Sequence, residues 1–232
     1  MYDITCNILF AFVTAFVITF LAIPKIIFFA QKFRLYDSAG ERSSHKGEVP
    51  IFGGISIFAG IIFSLLFWAE IEQIQFIIVS MLVVFFVGVI DDLLSLSPAR
   101  KVIGQIIAIL IIIYFPSENG LQINNMHGVL GIYGLPDIVA TLFTVFVVIV
   151  ITNGFNLIDG VDGLAGSLGI VASFSFGLLS VISGQINMSL IAFTLMGSLI
   201  GFLIYNNPPA KIIMGDTGSL VVGLVLSILA IN

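Results

Sequence analysis

Charge is what this chain has least of. Its 232 residues include 8 Lys and Arg and 13 Asp and Glu, 9% in all, against roughly 25% in soluble domains. A soluble globular domain is excluded. The one cysteine, Cys6, rules out an internal disulfide and any cysteine-built metal site. Strand-like alternation is also scarce, which argues against a membrane β-barrel. What is present is apolar: 59% of residues are hydrophobic and mean hydropathy is +1.21. Long apolar runs suited to a hydrocarbon core of about 30 Å recur along the sequence. A helical, polytopic membrane protein follows, because helices satisfy their own backbone in lipid. The first run leads into Pro24-Lys25 with no small-residue cleavage site, so it reads as a retained span.

Eight apolar stretches fit as spans: 8–30, 51–69, 76–90, 101–115, 138–151, 164–182, 188–204 and 219–231. With eight spans, every basic residue falls on one face. These are Lys25, Lys32, Arg34, Arg42, Lys46, Arg100, Lys101 and Lys211. That asymmetry marks the cytoplasmic side and puts both termini outside. Trp68, Tyr114 and Phe115 then lie at outer helix ends, where aromatic residues gather. The longest outer loop, 116–137, reads as a small hairpin. Gly197 with Gly201, and Ala165 with Gly169, have the spacing that permits close helix packing. Asn206-Asn207-Pro208-Pro209 ends the seventh span. The expected fold is all-α, one transmembrane catalytic domain over residues 1–232.

The acids sort by face as well. Asp91, Asp92, Asp159, Asp162 and Asp216 all fall at inner span ends, where ionisable groups are functional candidates. Converging carboxylates repel unless a cation or protons neutralise them. Oxygen ligands without cysteine favour Mg2+, with Mn2+ second. Segment 153–163 holds Asn153, Asn156, Asp159, Asp162 and three glycines, and reads as a polar loop where a helix reaches water. Asp91-Asp92 precede Ser97-Pro98, which has the form of a helix start; Asp92 or Ser97 is the candidate cap. Gly215 to Ser219 open the eighth span, where free amides at a helix N-terminus suit a phosphate. The first inner loop carries His45-Lys46 just before Pro50 and Gly53-Gly54. Together these describe a carboxylate and cation site for phosphate-bearing substrates. An ion-coupled transporter is the rival class, but transporters place such acids near mid-membrane, whereas these sit at inner ends.

In this order, segments 45–54, 88–98, 153–164 and 215–219 resemble the polyprenyl-phosphate N-acetylhexosamine-1-phosphate transferases. The resemblance implies an integral membrane enzyme with a cytoplasmic active site in a cell's inner membrane. It implies transfer of a sugar-1-phosphate from a UDP-N-acetylhexosamine to undecaprenyl phosphate, with Mg2+ and release of UMP, and no nucleic-acid partner. A homodimer is a further expectation. The phospho-N-acetylmuramoyl-pentapeptide branch usually has Thr-Pro-Thr-Met-Gly-Gly where Val49-Pro50-Ile51-Phe52-Gly53-Gly54 stand here. His45-Lys46-Gly47 is closer to the N-acetylglucosamine-1-phosphate branch, which is therefore the expected one. Family members continue past the Gly-Asp-Thr-Gly-Ser segment into further spans, so the sequence reads as shortened at its C-terminal end. For such a reaction the expected roles put Asp91 on the prenyl phosphate, as its base, and Asp92 in the cation network. Asp216 then ligates Mg2+, and Asp159 and Asp162 orient the donor. Asn153, Asn156, Gly215 and Ser219 bind substrate oxygens, and Lys46 with His45 neutralises a phosphate.

Overall fold

A computed structural model of the chain describes residues 2–33, 35–37, 49–116 and 120–232, with side chains from residue 5 onward. Among these are eight α-helices: α1 (Tyr2–Phe33), α2 (Gly53–Trp68), α3 (Ile71–Leu94), α4 (Pro98–Tyr114), α5 (Asp137–Ile158), α6 (Leu164–Ile182), α7 (Ile186–Asn206) and α8 (Gly215–Ile231). They stand where the apolar stretches stand. Five of them, α1, α3, α5, α6 and α7, are long and apolar enough to cross a membrane; α2 and α8 are shorter apolar helices. Among the described residues the chain is thus an all-α membrane fold with five helices of spanning length. At ~1.5 Å per residue, the 16 residues of α2 and 17 of α8 reach only about 25 Å.

Several helices extend beyond their apolar stretches, and the extensions of α3 and α5 bear on the site. α3 continues through Asp91 and Asp92 to Leu94, ending at Ser95 in a left-handed conformation (φ 48°). α5 continues to Ile158, so Asn153 and Asn156 are helical and not in a loop. Phe155 explains that extension: it is buried and packs against Gly169 and Gly223. Asn153 also returns its Nδ2 to Ile149 O at 2.8 Å, one turn back, keeping the amide inside the helix.

α8 is the axis of the fold. From Thr217 to Leu229 every residue is buried, with α2, α3 and α5 packed closely around it and α6 and α7 behind. Glycines permit the closest approaches. A Cβ on Gly54 of α2 would lie 2.1 Å from Gly218 N, and one on Gly88 of α3 would lie 2.5 Å from Thr217 Cα. α1 packs on α7 in the same way, with Gly197 against Phe12 O and Gly201 against Phe16 O, as their four-residue spacing suggested.

Two short strands, β1 (Tyr36–Asp37) and β2 (Val49–Pro50), pair antiparallel with Tyr36 opposite Pro50. β2 and the start of α2 are tied to the α7–α8 connection: Ile213 N donates to Pro50 O (2.9 Å), Gly53 N to Ile213 O (2.9 Å) and Gly54 N to Met214 O (2.8 Å). Arg34, Arg42, His45, Lys46 and Glu118 lie outside the described residues. Within the loop expected to form a hairpin, the described residues 120–136 do so, with Asn125 bridged to Gly134 and a 3-10 turn at Val129–Gly131.

Candidate active site

The ends of α3, α5 and α8 meet around a cavity of about 370 Å³. Its lining includes Asp91, Asp92, Asn156, Asp159, Gly215 and Asp216, together with Tyr36 and Ile51. Asp162, Asn153 and Ser219 do not line it.

Asp91 and Asp92 are neighbours with different work, because successive helical residues point about 100° apart. Asp91 turns toward the α3–α4 connection. Its Oδ1 accepts from Leu96 N at 2.6 Å and its Oδ2 pairs with Lys101 Nζ at 2.7 Å. Ser97 makes no side-chain cap, although Pro98 does begin α4, so the capping expected of Ser97 is corrected. Asp92 turns toward α8. Its Oδ1 accepts from Asp216 N at 2.8 Å, and its Oδ2 from Thr217 N at 3.0 Å and Thr217 Oγ1 at 2.5 Å. The candidate cap thus serves α8, not α4.

Asp159 completes that arrangement, with Oδ2 accepting from Gly215 N at 3.1 Å. The amides of Gly215, Asp216 and Thr217 are therefore all bonded to carboxylates. An N-terminus expected to receive a phosphate is occupied by two aspartates, which satisfy the same open amides and the same positive helix end. Gly215 is required in this position. Its φ is +74°, and a Cβ there would meet the Asp92 carboxylate at 2.9 to 3.3 Å. Burial pushes the Asp159 carboxyl well above the usual carboxylate range, and the negative charges of Asp92, Asp216 and Asp162 push the same way against the Gly215 hydrogen bond.

Asp216 is the carboxylate that faces the cavity from α8. Lys101 Nζ donates to its Oδ2 at 2.6 Å, and Asn156 Nδ2 donates to its Oδ1 and to Ser219 Oγ at 2.8 Å. Ser219 is wholly buried beneath Asn156. Asn153 instead pairs with Gln105 through Nδ2 to Oε1 at 2.9 Å. Asp162 accepts from Ala210 N at 3.1 Å, so it braces the α7–α8 connection.

Lys101 is the candidate site residue that sequence reasoning missed, since it was counted only among the positive charges that set the orientation. The usable signal was its place one turn inside α4, next to a helix start, where a lone ammonium needs a partner. Four carboxylates now surround the cavity with one ammonium between two of them. Among the described residues, no three or more acids, histidines or cysteines are grouped as a ready-made metal centre. The donors facing the cavity are nevertheless all oxygen, the type that suits Mg2+, and Mg2+ commonly takes only one or two carboxylates beside water and substrate phosphate. The residues fit such a cation, with Asp216 and Asp91 as the groups that would hold it.

The sequence profile described as "Glycosyl transferase family 4" matches residues 74–232. The chain is 32% identical to a phospho-N-acetylmuramoyl-pentapeptide-transferase of Borrelia hermsii, over 100% of this chain and 75% of that protein. It is 33% identical to the protein of that name from Borreliella burgdorferi, over 98% and 74%. It is 36% identical to an undecaprenyl-phosphate alpha-N-acetylglucosaminyl 1-phosphate transferase of Pasteurella multocida, over 90% of this chain and 61% of that one. By a match across more than half its length and by relatives of which it spans about three quarters, the chain belongs to glycosyl transferase family 4, the polyprenyl-phosphate sugar-1-phosphate transferases.

Proposed function

We propose that this chain transfers phospho-N-acetylmuramoyl-pentapeptide from its UDP-linked donor to undecaprenyl phosphate, at the cytoplasmic face of a cell's inner membrane. The observation that carries the donor is the set of relatives bearing that name, aligned over nearly the whole chain. This revises the N-acetylglucosamine-1-phosphate expectation drawn from residues 45–54. That second reading keeps one specific support, the Pasteurella relative at 36% identity. Eight spans with both termini outside remain part of the proposal, supported by the one-sided basic residues.

In the reaction an oxygen of undecaprenyl phosphate attacks the phosphorus that bears the sugar, and the bond from that phosphorus to the UMP oxygen breaks. The acceptor is already a fair nucleophile, so the barrier is mostly charge on phosphate oxygens and repulsion between anions. Mg2+ held by Asp216 and Asp91 would supply that neutralisation. Lys101 adds a fixed positive charge beside both carboxylates and stops them repelling each other. Asp91 lines the cavity and is the group proposed to take a residual proton from the acceptor. Asn156 fixes the Asp216 carboxylate from the other side. Asp159 and Asp162 hold the connections around the cavity, and Lys46 with His45 remains the proposed phosphate-neutralising pair of the first inner loop.

The experiment gives detergent-solubilised chain undecaprenyl phosphate, Mg2+ and either UDP-N-acetylmuramoyl-pentapeptide or UDP-N-acetylglucosamine. Lipid-extractable product and UMP from the first donor only, lost with EDTA and in Asp216→Ala, is the expected result. Product from the second donor only would transfer the proposal to the other branch. Turnover unchanged in Asp216→Ala would remove the assignment of that residue.

A further inference from the structure

α3 meets α8 at one face, and that face carries both a contact and a carboxylate. Gly88 and Asp92 are four residues apart, so they lie one above the other on the helix. Gly88 lets the α3 backbone press on Thr217, with a hypothetical Cβ 2.5 Å from Thr217 Cα. One turn on, Asp92 receives Asp216 N, Thr217 N and Thr217 Oγ1. Both oxygens of this side chain are bonded inward, to the turn that carries Asp216. Asp91, by contrast, shares Lys101 with Asp216. Both residues line the cavity, yet the pair divides by partner: Asp91 is tied to Lys101 and Asp216, while both oxygens of Asp92 are engaged by the first turn of α8.

We propose that Asp92 is a positioning residue, which fixes the first turn of α8 and through it the Asp216 carboxylate, and contacts neither substrate nor cation. This inference rests on the transferase reading for its effect on turnover. Its structural half stands apart from that reading.

Thr217 separates the two roles. It is wholly buried and outside the cavity lining, so its hydroxyl reaches the reaction only through Asp92. The full chain in detergent is compared as unaltered protein, Asp92→Asn, Thr217→Val, Thr217→Ser and the Asp92→Asn/Thr217→Val double variant. In Thr217→Val, kcat should fall about tenfold or more, since small misplacements of a reacting group carry such factors. KM for both substrates should stay within about twofold, as expected when only transition-state interactions are lost. Thr217→Ser should restore kcat, and Thr217→Val should add nothing to Asp92→Asn. Hydrogen exchange over residues 214–220 should be at least about tenfold faster in Asp92→Asn than in unaltered protein.

Unchanged exchange in Asp92→Asn overturns the proposal. So does full kcat in Thr217→Val beside a silent Asp92→Asn, which would place Asp92 on the substrate or cation. An unaltered chain that turned over neither donor would count against the transferase reading. The exchange measurement would still decide whether Asp92 holds α8.

Discussion

Lys101 Nζ lies 2.6 Å from Asp216 Oδ2, across 115 residues of sequence, and joins the first turn of α4 to the first turn of α8. The same ammonium reaches Asp91 Oδ2 at 2.7 Å. Its side chain is 15% exposed, so water screens the pair only weakly. Removing the charge leaves two carboxylates facing each other in a partly desolvated pocket. Lys101→Met should therefore lower turnover about a hundredfold or more and lower stability by roughly 2 kcal/mol, less than a fully buried broken pair. Lys101→Arg should recover part of both, limited by the different shape of guanidinium. Initial rates and thermal unfolding on matched protein check this. Half or more of normal turnover in Lys101→Met would reduce the lysine to a structural tie.

Asn206 joins two connections beneath the site. Its Oδ1 accepts from Gly163 N at 2.9 Å, its Nδ2 donates to Ile212 O at 2.9 Å, and the residue is 3% exposed. Asn206→Ala strands two backbone groups, which should cost about 2–4 kcal/mol. Asn206→Asp keeps the acceptor for Gly163 and loses the donor to Ile212, so it should also destabilise. Denaturation midpoints measure both; an alanine variant within about 0.5 kcal/mol of the parent would contradict the bracket.

Glycines near the site should respond in opposite directions. Gly54→Ala inserts a Cβ 2.1 Å from Gly218 N, and backbone on both sides leaves no room to yield. It should destabilise by at least about 2 kcal/mol. Gly154 lies inside α5, and a Cβ there would meet nothing within 4 Å. Gly154→Ala should stabilise by up to about 1 kcal/mol, the helical preference for alanine. Turnover distinguishes a further role: a stabilised Gly154→Ala with reduced activity would mean that substrate approaches this backbone.

Most of the fold was legible because its signal is local. Apolar runs located all eight helices, and Asn206-Asn207-Pro208-Pro209 stopped α7 where the structure ends it. The ends that mattered were less legible. Asn153 and Asn156 looked like loop residues, yet Phe155 finds a packing partner in α6 and α8, and burial overrides local polarity. The candidate acids were legible by their scarcity, but their partners were not. Nothing near Asp92 in sequence indicates that its hydrogen-bond donors lie 124 and 125 residues away. Lys101 was hidden by its membership in a statistical pattern of positive charge. The glycines of residues 215–218 suggested an anion cradle, and the close crossing of α8 with α2 at Gly54 accounts for Gly218 instead.

Asp159 offers a prediction whose sign follows from burial. Desolvation is the largest cause raising its pKa, and neighbouring carboxylates add to it. The folded protein therefore holds its proton to higher pH than the unfolded chain, whose carboxyl ionises near pH 4. The resulting stabilisation is fully present below that value. It is lost as pH rises through the folded pKa, by up to about 1.4 kcal/mol per pH unit while the two forms differ in protonation. Asp159→Asn retains an acceptor for Gly215 N and has no proton to lose. In EDTA, its thermal midpoint relative to unaltered protein should therefore rise as pH is raised from about 4 toward 8. Added Mg2+ should narrow the gap by favouring the ionised cluster. A difference that stays constant or shrinks with rising pH in EDTA would mean that the Asp159 carboxyl is already ionised in the folded protein.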